Sequence, residues 1–407
     1  MKVLLTVLDG ISDRPIKKFD EKTPLKKSDT PNLDHLARSG VNGILDPISP
    51  GIRAGSDTAH LSLLGYEPRD IYTGRGPLEA SGAGIKVKKG DLGLRCNFAT
   101  KENNEVVDRR AGRISNTSEL VKSINEEISE IEGVKVFFKE STGHRAGLVL
   151  RGKNLSNKIT DSDPKKPHKE PKKIKPLEKE AKKTATILNQ FISETEKILK
   201  DHPLNEKREK RGDLPANTVL LRGAGKVPEI DNIKTKYGIK GGLITATGLI
   251  KGIGKICGLD IIEVPDASGS VDSDIVAKAE KTLEVIDDYD FILLHIKGGD
   301  EASHDGDPEK KVKFLEEKID PAMKKIVNNL DNENVVKAVT ADHTTSSELK
   351  DHTGDPVPLT INSSNVRKDE VTKFSEETYK GGINRIKGRN LMPILLDLAN
   401  RTEKYGA

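Results

Sequence analysis

A doubly wound, mostly parallel α/β sheet interrupted by a smaller α+β insertion is the fold this sequence predicts, on three observations. Apolar runs of strand length at residues 3–8, 291–296 and 335–340 lie far apart in the chain, as buried parallel strands do. Helical periodicity fills the intervals: Thr30-Pro31 followed by Leu33, Leu36 and Ala37 and stopped at Gly40 is one short helix, with its cap, N1 proline and terminal glycine. A longer amphipathic helix is expected over residues 308–330, with Val312, Leu315, Ile319, Met323, Ile326 and Leu330 on one side. The third observation is that this rhythm breaks between about residues 82 and 234. There only short strand candidates occur, at 92–98, 134–138, 148–151 and 218–221. The α/β alternation resumes at the Gly-rich turn of residues 247–254 and the strand candidate 260–264. The expected organisation is therefore a sheet domain over 1–81 and 235–407, with 82–234 inserted as a cap.

Composition excludes several function classes. Hydrophobic residues are 34% and charged residues 32% of 407, a polar balance that a globular chain tolerates when its apolar residues are concentrated into strands. No run of about 18 apolar residues occurs, and the chain enters its first strand without a signal-peptide pattern, so a cytoplasmic protein with no membrane partner is expected. Cys96 and Cys257 are the only cysteines; they are too far apart for a metal-spaced pair and are expected to be small buried residues. Net charge is +4, and residues 161–211 carry fifteen Lys/Arg against ten Asp/Glu, so this one segment holds the entire basic excess. Its stretch 165–176 is expected to be a solvated loop. Over 177–199, Leu177, Ala181, Ala185, Leu188, Ile192 and Leu199 recur at helical spacing. Without interleaved aromatics the segment is expected to be a peripheral Lys-rich insertion rather than a nucleic-acid surface.

Each of the three long strand candidates ends in a turn with potential ligands: Asp9 after the first, Asp300 after Gly298-Gly299, and Asp342-His343 after the third. Ligands of open α/β sheets gather at the carboxyl ends of strands, so these turns can converge. Asp300 and His304 stand at D-x-x-x-H spacing, one turn apart on a helix. Alone this is an ordinary ion-pair pattern, but a mixed O/N set also suits a divalent metal. His352 follows shortly in Asp-His-Thr-Gly-Asp-Pro. Ser56 lies in Ala-Gly-Ser-Asp-Thr-Ala-His, where Gly55 gives a sharp turn and a helix is expected over 57–64. Serine there is ordinarily an N-cap, but at a helix start beside a dication its hydroxyl can become a nucleophile. No G-x-x-x-x-G-K-[ST] motif is present, which argues against a P-loop enzyme.

Residues 1–10, 55–65, 72–84, 298–307 and 340–356 together resemble the alkaline-phosphatase superfamily, and within it the archaeal-type cofactor-independent phosphoglycerate mutases. The similarity spans nearly the whole chain apart from the Lys-rich segment. The resemblance implies an alkaline-phosphatase-like sheet and an isomerase that interconverts 3- and 2-phosphoglycerate without 2,3-bisphosphoglycerate. It implies two divalent cations, with Mn²⁺ expected and Mg²⁺, Zn²⁺ or Co²⁺ as alternatives. Asp9, Ser56, Asp342 and His343 would bind one, and Asp300, His304 and His352 the other. Ser56 would carry the phosphoryl group as phosphoserine. For the cap, Asp108 is expected as acid/base, and Arg109, Arg110, Arg113, Arg145 and Arg222 as the groups that hold the small acidic substrate. Lys251, in Thr-Gly-Leu-Ile-Lys-Gly, resembles the lysine that family members place near the phosphate. A phosphomonoesterase or homoserine-kinase-like phosphotransferase on the same metal core remains the alternative.

Overall fold

A computed structural model describes residues 1–265, 267–404 and 406. The chain divides into two compact units, residues 1–70 with 231–407, and residues 71–230.

The first unit is built on an eight-stranded sheet. In spatial order its strands are Asp260–Ile262, Gly241–Ile244, Phe291–Ile296, Lys2–Leu8, Val335–Thr340, Val357–Asn362, Val41–Asp46 and Asn384–Lys387. Only Val357–Asn362 runs against the others, so the sheet is mostly parallel. Lys2–Leu8, Phe291–Ile296 and Val335–Thr340 are adjacent and parallel at its centre. They are buried almost throughout, which is why their sequences read as unbroken apolar runs. Their carboxyl ends consequently open on one edge of the sheet.

Helix Pro31–Ser39 forms where its cap and proline predict. The helix expected over 308–330 is instead three pieces: Pro308–Phe314, a π-helical turn Leu315–Ile319, and Asp320–Asn329. Pro321 explains the break, because it has no N–H for the carbonyl four residues back and its ring crowds that carbonyl. Asp320, at the junction, accepts hydrogen bonds from the Asn32 and Leu33 amides at 3.0 and 3.1 Å. It thereby ties the break to the start of the Pro31–Ser39 helix.

The second unit is an antiparallel sheet of Glu105–Asp108, Leu92–Glu102, Arg145–Arg151, Val134–Glu140 and Glu130–Ile131, with Thr218–Lys226 also paired to Leu92–Glu102. One face is covered by helices Ser118–Glu127 and Lys182–Lys200. The core there includes Leu94, Cys96, Phe98, Phe138, Leu148, Phe191 and Leu221. Cys96 and Cys257 are both buried and free.

The stretch 165–176 differs from the solvated loop expected of it. Its lysines point outward, but its backbone is pinned: His168 donates to the Val106 carbonyl at 2.8 Å and Lys172 to the Ser162 carbonyl at 2.9 Å. Ile174 is buried in the core. One inward apolar residue and a ladder of backbone hydrogen bonds outweigh the Lys/Pro composition. Further on, Leu188, Phe191 and Leu199 belong to the same core, so the Lys-rich segment forms part of the unit's interior.

Candidate active site

The turns after the central strands bring six of the expected residues together, in two groups of three. Donor atoms of Asp9, Asp342 and His343 lie within 4.8 Å of one another, and so do those of Asp300, His304 and His352. Two glycines allow this convergence. Gly10 has φ +62°, and a Cβ there would sit 2.7 Å from the Asp300 Cβ; Gly298, at φ +134°, would collide with the Phe314 ring. Glycine at position 10 lets the two turns approach so closely, and glycine at position 298 seats the Asp300 turn against Phe314. The Asp300 amide then donates to the Asp9 carbonyl at 3.0 Å, and the His343 and His352 rings stack at 3.6 Å.

The imidazole hydrogen bonds fix the tautomers. His304 Nδ1 lies 2.8 Å from the Lys350 carbonyl, and His352 Nδ1 lies 2.8 Å from the Ala54 carbonyl. A carbonyl only accepts, so both Nδ1 atoms carry hydrogen. His343 Nδ1 is 3.0 Å from Thr345 Oγ1, whose own hydrogen goes to Asp300 Oδ1 at 3.1 Å; this Nδ1 is a donor too. All three Nε2 atoms therefore turn toward carboxylates. His304 and His352 Nε2 stand 3.2 and 3.4 Å from Asp300 Oδ1, and His343 Nε2 stands 3.3 Å from Asp342 Oδ2. Asp9 Oδ1 and Asp342 Oδ2 are buried without a hydrogen-bond partner, an arrangement that is costly unless a cation or proton lies between. Outward-held Nδ1–H groups, inward Nε2 atoms and orphaned carboxylate oxygens fit divalent-cation ligation.

The charges respond to this crowding. Burial would raise the Asp9 carboxyl, but Lys297 and the His295 hydrogen bond hold it well below the ordinary range. Burial likewise works against Asp300, yet His304, His352 and Lys297 keep it ionised. The His304 imidazole is raised to about 9 by its hydrogen bond to Asp300, so a proton on Nε2 compensates that carboxylate in the chain alone. His343 is lowered by burial.

Ser56 is the first residue of helix Ser56–Leu63, and Gly55 is the N-cap. The hydroxyl is therefore not consumed in capping, as an N-cap serine's would be. It lies 3.1 Å from His343 Nε2, which can only accept its proton in this tautomer.

Three neighbours escaped the sequence reading. His295 Nε2 is 3.0 Å from Asp9 Oδ2, its Nδ1 is 2.9 Å from Thr245 Oγ1, and burial pushes its imidazole down to about 4. Lys297 Nζ bridges Asp9 Oδ2 at 3.2 Å and Asp300 Oδ2 at 2.7 Å, linking the two groups. His60 Nδ1 is 2.7 Å from the Ser56 carbonyl, while its Nε2 is buried without a partner. The usable signals were an isolated His in an apolar strand, Lys297 two residues beyond it, and His60 one helical turn after Ser56.

Lys251 contacts neither group; both Glu263 oxygens accept from its Nζ, at 2.8 and 2.6 Å. The remaining expected residues belong to the second unit. Asp108 Oδ1 accepts from the Arg110 and Gly112 amides at 2.6 and 3.3 Å, bracing a left-handed turn in which Ala111, Gly112 and Arg113 all have positive φ. Arg110 and Arg113 are exposed on that turn. Arg109 forms a bidentate pair with buried Asp163 at 2.9 and 2.7 Å, and Arg222 Nη1 is 3.5 Å from the same carboxylate. Arg145 is exposed at the start of its strand.

Comparison with known proteins places this geometry in context. Residues 37–205 match a family profile described as 2,3-bisphosphoglycerate-independent phosphoglycerate mutase. A protein of that name from Methanothermobacter thermautotrophicus is 50% identical, with 100% of both chains covered. A cofactor-independent phosphoglycerate mutase from Thermoplasma acidophilum is 37% identical over 98% of this chain and 100% of its own, with a TM-score of 0.73. A protein from Pyrococcus horikoshii, 38% identical, covers 100% of this chain and 99% of its own at a TM-score of 0.86. No helix among the described residues is long and apolar enough to cross a membrane.

Proposed function

The chain belongs to the 2,3-bisphosphoglycerate-independent phosphoglycerate mutases, isomerases of a small phosphorylated acid, and on that premise we propose that Ser56 carries the phosphoryl group between the two hydroxyls of phosphoglycerate. The observation that supports this is the Ser56 hydroxyl, uncommitted to capping and 3.1 Å from His343 Nε2 beside Asp9 and Asp342.

In the forward direction the Ser56 hydroxyl gives up its proton as its oxygen attacks the phosphorus of 3-phosphoglycerate. The bond from phosphorus to the 3-oxygen breaks, that oxygen takes a proton, and glycerate stays bound. The 2-hydroxyl of the reoriented glycerate then gives up its proton and attacks the phosphoserine phosphorus, the bond from phosphorus to the Ser56 oxygen breaks, and Ser56 recovers a proton. Asp9, Ser56, Asp342 and His343 would hold one divalent cation and Asp300, His304 and His352 another, Mn²⁺ being the expected ion, to supply charge neutralisation on the phosphoryl oxygens and a more acidic serine hydroxyl. The N-terminus of Ser56–Leu63 adds amide donors and a favourable dipole for phosphate, and Lys297 keeps Asp9 and Asp300 ionised. Arg109, Arg110, Arg113, Arg145 and Arg222 hold the carboxylate and phosphate charges, as forked guanidinium groups do well. Asp108 exchanges the proton with the glycerate hydroxyls, and Lys251 serves the phosphate once released from Glu263. Holding glycerate away from water keeps transfer from becoming hydrolysis.

The test is turnover of 3-phosphoglycerate with Mn²⁺, coupled to enolase, with no bisphosphoglycerate added. Mutase activity that disappears in Ser56→Ala is expected. Stoichiometric release of inorganic phosphate in place of 2-phosphoglycerate would make the chain a phosphatase.

A further inference from the structure

We propose that Glu79 and Asp163 are positioning residues that brace four arginines into an anion site on residues 71–230, with Arg95 and Arg222 as the facing pair that meets the acidic substrate. The inference rests on assigning phosphoglycerate binding to this unit, and it adds residues that the sequence did not single out.

Register is the first support. Arg95 and Arg222 are direct cross-strand partners, and like charges so placed destabilise a sheet unless something offsets them. Arg145 is the partner of Asn97, two residues along and on the same face, and no carboxylate among the described residues forms an ion pair with it. The opposite face carries the apolar core through Leu94, Cys96 and Leu221; this face carries helix Gly76–Gly82 over Gly93 and Gly147, and Arg95 and Arg222 stand half-buried beside it.

The second support is that each carboxylate serves two guanidinium groups. Glu79 Oε1 lies 2.8 Å from Arg75 Nε and 3.3 Å from Arg95 Nε. Asp163 accepts both Nε and Nη2 of Arg109 and lies 3.5 Å from Arg222 Nη1. Arg222 Nε is buried without a hydrogen-bond partner. The bidentate pair fixes the Arg109 plane, while single ion-pair contacts tether Arg95 and Arg222 at one nitrogen each.

Both braces are rigidly mounted. Helix Gly76–Gly82, which carries Glu79, lies directly on the strands: a Cβ at Gly93 would be 2.5 Å from Pro77 Cα, and one at Gly147 would be 2.7 Å from Ala80 Cα. Asp163 follows Ser162, whose amide donates to the Leu221 carbonyl at 2.9 Å and whose hydroxyl accepts from the Leu221 amide at 2.8 Å. Asp163 is thus set beside Arg222 by backbone contacts. Asp161 belongs to the same mount, accepting from the Gly223 amide at 3.0 Å. The cationic field reaches His144, whose imidazole is pushed down to about 4 by burial and by Arg145 and Arg110.

Asp163→Asn and Glu79→Gln keep side-chain shape while removing the charge that orients the arginines. Steady-state kinetics should show KM for 3-phosphoglycerate raised about tenfold or more, as expected for loss of charge-assisted hydrogen bonds, with kcat within about threefold. Directly titrated Mn²⁺ affinity should not change, and Asp163→Glu should recover part of the KM. Deleting a negative charge would by itself draw a trianion in more strongly, so an unchanged or lowered KM in the folded variants overturns the proposal, as does a weakened Mn²⁺ affinity. If Asp163→Asn does not fold, Glu79→Gln, on a separate element, carries the same test. Equilibrium binding of 3-phosphoglycerate to Ser56→Ala, with and without Asp163→Asn, reads the brace without turnover. A Ser56→Ala protein that still turns over defeats the phosphoserine while leaving the KM comparison intact.

Discussion

The two units place their charged residues in opposite ways. In residues 1–70 with 231–407, the carboxylates and imidazoles sit in turns at the ends of parallel strands, and every one is tied to another by a hydrogen bond or ion pair. In residues 71–230, arginines stand half-buried on an antiparallel sheet beside helix Gly76–Gly82 and are paired with two carboxylates. The first design creates a dense, buried, net-negative cluster suited to a cation. The second gathers positive charge, as the proposed anion site requires. Variants that strike one design should therefore change different observables from variants that strike the other.

The largest effects are expected in the first unit. Asp300→Ala and His343→Ala each remove a donor from one group and should lower kcat by about a thousandfold or more while the protein stays folded. Chelation should abolish activity, and added Mn²⁺ should restore it; full turnover in metal-free protein would break the distinction between the units. Lys297→Met should cost more turnover than Lys251→Met, because Lys297 joins the two groups whereas Lys251 is already engaged by Glu263. Equal losses would move the lysine role back to Lys251.

Smaller effects are expected in the second unit, and on stability more than on chemistry. Ile174→Ala should destabilise the protein by about 2–4 kcal/mol, as truncation of a buried Ile does, measurable by denaturant unfolding. An exposed, mobile stretch would show almost nothing. The smallest effect is one of pH. Burial works to raise the Asp163 carboxyl, but its hydrogen bond with Arg109 holds it below the ordinary carboxylate range. A lowered folded-state value stabilises the fold above the unfolded pKa, and that contribution disappears as pH falls through the folded one. The Tm advantage of the natural chain over Asp163→Asn should accordingly hold at neutral pH and shrink below about pH 4; an advantage that grows in acid would contradict the pairing.

The same contrast governs what could be read from the sequence. Asp9 and Asp342-His343 were legible because an apolar run marks a central strand, and its end marks where ligands collect. Asp300, His304 and Ser56 were legible from their spacing on helix starts. His60, His295 and Lys297 were not, since a lone His in a helix or strand is ordinarily a core residue and only the fold shows what it faces. The arginine face was harder. That Arg95 lies opposite Arg222 depends on the register of strands more than a hundred residues apart, with a shift between Gly93 and Arg95. Asp163 was hidden by the lysines around it, because composition reports the outward side chains and is silent on the single buried carboxylate. The break in the helix after Phe314 follows from Pro321, a local signal that the strong apolar periodicity on both sides obscured.

Ser56 as the phosphoryl carrier is tested most directly by rapid quenching of the Mn²⁺-loaded enzyme with 3-phosphoglycerate labelled with ³²P. Label should be trapped on the peptide containing Ser56 and should pass to 2-phosphoglycerate undiluted by unlabelled inorganic phosphate in the medium. Label on any other residue, or no covalent label while turnover proceeds, would contradict it.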